Sequence, residues 1–128
     1  MPIVHHRLQL RPQAASVRRA RQFVAGEVRR NGADGASDMC VLLTSELVTN
    51  AVLYGQSELG GRIELRISFT PAMVRIGVHD QSPAPPVAQN VGPDAMSGRG
   101  LDLVDAMSSA WGVDATDGGK EVWFVLCL

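Results

Sequence analysis

The stretch SDMCVLLTSELVTNAVLY, Ser37 to Tyr54, carries Met39, Leu42, Leu43, Leu47, Ala51 and Val52 at spacings that cover most of a helix surface. A helix this apolar must be largely buried, so the rest of the chain has to be layered around it. Ser37 or Asp38 is placed to cap its start and Gly55 to stop it. Inside the run stand Glu46 and Asn50, four residues apart and therefore on one face, a single turn from each other. An acid and an amide sharing one small volume of a core helix mark either a solvated edge or a site.

The remaining segments say what that helix is packed on. HHRLQL, ahead of Arg11 and Pro12, reads as a short edge strand. Between Ala14 and about Asn31, Val17, Ala20, Val24 and Val28 recur at helical spacing with arginines on the other faces, and Asn31-Gly32 closes the helix. RIELRISF and MVRIGVHD alternate with the two-residue rhythm of strands, joined by a turn at Thr70 to Ala72. Gln81 to Ser97 shows neither periodicity and reads as a long functional loop. Two glycines, Gly98 and Gly100, then precede a helical pattern of Leu101, Val104 and Met107, and two strands joined by a glycine turn finish the chain. Helices come first and strands after, without regular alternation. The expected fold is therefore α+β: one domain over residues 1–128, a two-layer sandwich with helices on one face of the sheet.

Composition narrows the function classes. A formal net charge of -1 gives no electrostatic footprint for nucleic acid, although Arg18, Arg19, Arg21, Arg29 and Arg30 crowd the first helix. The two cysteines, Cys40 and Cys127, sit in apolar contexts and form no disulfide framework or metal motif, which points to a reducing compartment. His5 and His6 have no Cys or His cluster to join them in holding a metal. No apolar stretch is read as a membrane span, the N-terminus lacks a signal-peptide core, and the expected location is cytoplasmic.

Four polar features have ordinary readings when taken singly. Asp80 is a turn former at a strand end, and GRG at Gly98 to Gly100 is a common way to begin a helix. Lys120 in DGGK is a solvated hairpin lysine, and Glu46 with Asn50 is a helix edge. Taken together and in this order, the Glu46–Asn50 pair, Asp80, the long loop from Gln81 to Ser97 and the glycine-rich helix start supply the parts for binding a magnesium nucleotide. Neither GxxxxGK[ST] nor GxGxxG occurs, so the two commonest nucleotide-binding designs are excluded.

The sequence resembles the GHKL ATPase superfamily and, within it, the bacterial anti-sigma factor serine/threonine kinases. ELVTNAVLYG is similar to that family's N box, VHDQSPAPP to its first glycine box, SGRGLDLVDAMSSAWGV to its second, and GGKEVWFVL to its closing strand pair. The resemblance runs from Ala14 onward and implies a mixed, mostly antiparallel sheet covered on one face by helices. It implies that Asn50 ligates Mg2+ on ATP, that Glu46 is the general base, and that Asp80 accepts a hydrogen bond from the adenine amino group. Ser82 and Lys120 would join the nucleotide site, Gln81 to Ser97 would form a lid, and Gly98, Arg99, Gly100 and Leu101 would meet the phosphates. Its implied partners are a sigma factor, an anti-sigma antagonist protein and a second copy of the chain in a homodimer that uses the N-terminal strand and the Arg-rich helix.

Two positions depart from the family pattern. Ser82 stands where the first glycine box has glycine, and Glu121 stands where a threonine often follows the position of Lys120, a carboxylate that would repel phosphates unless it points away. The alternative function is a binding module of the same fold without catalysis. A sensor histidine kinase is disfavoured because the chain has no room for a dimerisation helix pair, and gyrase-like, mismatch-repair-like or chaperone-like relatives need a transducer domain.

Overall fold

The computed structural model describes residues 3–54, 61–82 and 96–128, with backbone alone at 96–100. The elements run β1 (Val4–Leu10), α1 (Ala15–Arg30), α2 (Ser37–Tyr54), β2 (Ile63–Phe69), β3 (Met73–Asp80), α3 (Met96–Met107), β4 (Ala110–Thr116) and β5 (Gly119–Cys127). The five strands form one sheet in the order β1-β2-β3-β5-β4. All four pairings are antiparallel, where the sequence led us to expect a mixed sheet with antiparallel pairs in the majority. The edge position of β1 is as read from HHRLQL.

Strand alternation decides the layering. Ile63, Leu65, Ile67 and Phe69 of β2, Val74, Ile76 and Val78 of β3, and Val122, Phe124 and Leu126 of β5 are all buried and point to one face. The helices supply Ala20, Val24 and Val28 from α1, Cys40, Leu43, Leu47, Val48 and Ala51 from α2, and Leu101 and Val104 from α3 to the same core. Each buried Val, Leu, Ile or Phe contributes about 1.5–3 kcal/mol relative to an exposed one, which makes this two-layer contact the main source of stability. The helix α2 packs on both α1 and α3 and reaches β3 and β5.

Local chemistry sets the helix ends. α1 runs into Asn31 and then Gly32, whose φ of 72° lies in the left-handed region that glycine enters without strain. Arg29 and Arg30 in its last turn suit the negative end of the helix dipole. α2 starts at Ser37 directly out of a short 3-10 turn at Asp34–Ala36, so Ser37 is a helical residue and not a cap. Gly55 and most of the long loop, residues 83–95, lie outside the described residues. Met96 and Ser97, read from the sequence as the end of that loop, are helical.

The burial of α2 is narrower than its composition implied. Its inner stripe is Cys40, Leu43, Thr44, Leu47, Val48, Asn50 and Ala51, while Leu42 is 42% exposed and Leu53 55% exposed. Leu42 thus belongs to the outer face, contrary to the expectation from sequence. Met107, the last residue of α3, is likewise exposed. Together with the 3-10 turn, α2 makes a 21-residue helical stretch, Asp34–Tyr54, that contains an 18-residue window with a mean hydropathy of 1.2. By length and composition that stretch does reach a membrane span, which corrects the reading that none does. Its inner stripe is spent on the sheet and the neighbouring helices.

Candidate functional site

Asp80 is the last residue of β3 and Lys120 the second of β5, and the ladder sets them directly opposite each other. Lys120 shares the alternation of Val122, Phe124 and Leu126, so it is turned to the helix-covered face, and only 6% of its side chain is exposed. Its Nζ lies 3.0 Å from Asp80 Oδ1 and donates a second hydrogen bond to the Ser82 carbonyl oxygen at 3.3 Å. The backbone N–H of Ser82 donates to the same Asp80 oxygen at 2.9 Å, closing an Asx turn at the strand end. Asp80, Ser82 and Lys120 therefore form one buried cluster. The family resemblance puts Lys120 in the nucleotide site, while the residue pattern alone reads it as a solvated hairpin lysine and does not show its ion pair with Asp80. The signal was its place in the β5 alternation.

Two opposing effects set the Asp80 carboxyl. Burial pushes its pKa above the ordinary carboxylate value, and this effect is the larger. The hydrogen bonds from Lys120 and the Ser82 N–H, with the charges of Lys120 and His79, pull it down without cancelling the rise.

The neighbour of Lys120, Glu121, faces the opposite side of the sheet. Its Oε1 accepts a hydrogen bond from Arg75 Nη2 at 2.8 Å, and Arg66 Nη1 stands 3.5 Å from Oε2, at ion-pair distance but without hydrogen-bond geometry. A Cβ on Gly77 would come within 2.5 Å of this carboxylate, so glycine there leaves it room. The departure that set a carboxylate against the phosphates is removed, because Glu121 points away from the face that carries Lys120.

On α2, Asn50 is 7% exposed, and its Oδ1 is buried with no hydrogen-bond partner among the described residues. Buried side-chain oxygens are nearly always paired, and an exception in a core helix calls for a ligand or another explanation. Glu46, one turn earlier on α2, is partly exposed. Gly98, Arg99 and Gly100 lie inside α3, which begins at Met96, so the helix starts earlier than the glycine pair suggested. Gly98 stays within the first turn, where backbone N–H groups lack intrahelical acceptors. Leu101 places its side chain in the core, 6% exposed. No three His, Cys, Asp or Glu side chains converge as a metal cluster among the described residues. A cavity of about 460 Å³ lies elsewhere, between Gly32, Ala33, Met39 and the C-terminal residues Leu126 to Leu128.

Asp80, Ser82 and Lys120 are thus joined by direct contacts, while Glu46 and Asn50 share one face of α2, which packs on α3 and on β3. Residues 10–126 match the family described as histidine kinase-like ATPase domain. No curated protein matches the chain. Among solved structures it is similar to the RsbU and RsbW domains of a Mycobacterium tuberculosis protein, at 21% identity and a TM-score of 0.66. That alignment covers 98% of this chain and 32% of the other, so the chain spans about a third of that structure, and the likeness is one of fold.

Proposed function

The chain belongs to the histidine kinase-like ATPase domain family, and from that premise we propose that it binds Mg-ATP and phosphorylates a serine or threonine of an anti-sigma antagonist protein. The observation that carries this reading is the buried Oδ1 of Asn50, without a hydrogen-bond partner among the described residues, one turn from Glu46. An amide oxygen held out of water is a hard donor of the kind Mg2+ takes, and magnesium keeps few protein ligands when phosphates and water supply the rest. The donor set therefore fits the ion. Bound Mg2+ supplies charge neutralisation across the phosphate oxygens.

The chain's own residues divide the remaining work. Asn50 holds the metal, and Glu46 accepts the proton of the attacking hydroxyl. Asp80 receives the adenine amino group, with Ser82 fixing the carboxylate from the backbone side. Gly98, Arg99 and Gly100, with Leu101 behind them in the core, carry the phosphate end of the nucleotide at the start of α3. Lys120 holds the Asp80 carboxylate in place by its ion pair. Acting in the cytoplasm, the protein would also sequester a sigma factor and pair with a second copy of itself. The edge strand β1 and the exposed arginines Arg18, Arg19, Arg21, Arg29 and Arg30 of α1 are the surface on offer for both.

Titration calorimetry of Mg-ATP into the protein and into Asn50→Ala tests the reading. Magnesium-dependent binding in the parent and none in the folded variant is expected. Equal affinity in both would remove Asn50 from the metal site. Labelled phosphate transfer to the cognate antagonist then separates a kinase from a binding module of the same fold.

A further inference from the structure

We propose that Lys120 is a specificity-determining residue of the base pocket: its ammonium both fixes the Asp80 carboxylate and donates a hydrogen bond to the ring nitrogen beside the adenine amino group. This inference rests on the reading that Asp80 receives adenine.

The proton inventory of the cluster leads to it. A lysine ammonium has three N–H donors and no acceptor. One goes to Asp80 Oδ1 and one to the Ser82 carbonyl oxygen, and the third has no acceptor among the described residues. On the carboxylate, both the Lys120 and the Ser82 N–H bonds fall on Oδ1, and Oδ2 accepts none among the described residues. The cluster therefore keeps one charged donor and one charged acceptor side by side. The Watson–Crick edge of adenine presents the complementary pair, an amino donor at position 6 and an acceptor at N1. A single carboxylate recognises only the amino half. The lysine supplies the other half from the same pair of ladder positions, Asp80 and Lys120.

Lys120 also acts as a positioning residue. Burial disfavours the charged form of Asp80, and a cation at 3.0 Å favours it. An Asp that must accept from an amino group has to stay ionised. The serine at position 82 contributes its N–H and carbonyl oxygen to the cluster, so its backbone serves the carboxylate and the lysine together.

The test compares ATP with 1-deaza-ATP, which carries C–H in place of N1, on the parent protein, Lys120→Met and Lys120→Arg. The parent should bind 1-deaza-ATP at least about tenfold more weakly, the loss expected for a hydrogen bond from a charged donor. Lys120→Met should lose affinity for ATP and bind both nucleotides alike, because the donor that distinguishes them is gone. Lys120→Arg should keep part of the discrimination. A parent protein that binds ATP and 1-deaza-ATP equally overturns the inference whatever the variants do, and so does undiminished discrimination in Lys120→Met. A parent that binds neither nucleotide instead removes the adenine reading itself.

Discussion

Lys120 and Glu121 are adjacent in β5 and serve opposite faces of the sheet: the lysine pairs with Asp80 under the helices, the glutamate with Arg75 and Arg66 on the far side. Strand alternation alone enforces this separation. A carboxylate that looks like a liability beside phosphates is therefore a structural counter-ion for two arginines. The far face also carries Glu64, where burial would raise the carboxyl but the Arg66 and Gln9 hydrogen bonds and the charges of Arg66 and Arg7 hold it below the ordinary range.

It follows that Glu121→Thr, which restores the residue the family pattern prefers, leaves Mg-ATP affinity within about twofold of the parent. The variant loses about 1–2 kcal/mol of stability, since both arginines are about a third exposed and can return to water while a gap opens over Gly77. Calorimetry and urea unfolding read the two quantities separately. A large gain in affinity would mean that Glu121 does reach the nucleotide.

Gly119→Ala attacks the ladder next to the ion pair. A Cβ there would fall 1.9 Å from the Asp80 carbonyl oxygen, which is backbone and cannot swing aside. β5 must draw away from β3 just where Asp80 faces Lys120. The expected cost is about 1–3 kcal/mol, together with weakened nucleotide binding. Gly118→Ala is the control: its φ of 78° is strained for alanine, yet no atom of the described residues lies within 4 Å of the added Cβ, so stability falls without the same loss of binding.

The sequence showed most of the layering and only half of the site. The strand rhythm read in RIELRISF and MVRIGVHD is the one that buries Ile63, Leu65, Ile67, Val74, Ile76 and Val78, since a one-residue shift would turn the whole set outward. Helix spacing set Glu46 and Asn50 on one turn of α2, where the structure has them. It could not show that Leu42 faces out, since in a helix apolar all round the inner stripe is chosen by the neighbours α1 and α3. Nor could a glycine pair fix the start of α3, which lies at Met96 ahead of both glycines. The Asp80–Lys120 pair was hidden because it depends on the β3–β5 register across 40 residues of chain.

The raised pKa of Asp80 has a sign that can be checked. The folded protein binds the Asp80 proton more tightly than the unfolded chain, whose Asp titrates near the ordinary value of 3.8. This group's contribution to stability is therefore full below that value and is lost as pH rises through the higher folded pKa. Asp80→Asn does not titrate, so the stability difference between parent and variant should shift against the parent as pH rises across that window and stay level above it. Urea unfolding at closely spaced pH values measures it. A shift in the opposite direction would mean that the Lys120 ion pair outweighs burial.

Glu46→Gln carries the mechanism. The amide keeps the shape and the hydrogen-bonding capacity of the carboxylate but cannot take a proton at neutral pH. Glu46 is partly exposed at the edge of the α2 inner stripe, so the substitution should leave the fold intact. Asn50, Asp80 and the start of α3 are untouched, so Mg-ATP should bind as in the parent. Transfer to the antagonist should fall by about two to four orders of magnitude, the usual contribution of a positioned general base. Single-turnover transfer with labelled ATP, alongside calorimetry on the same preparation, distinguishes the outcomes. Loss of binding together with transfer would assign Glu46 to organising the metal beside Asn50, and transfer at the parent rate would leave the hydroxyl without a protein base on α2.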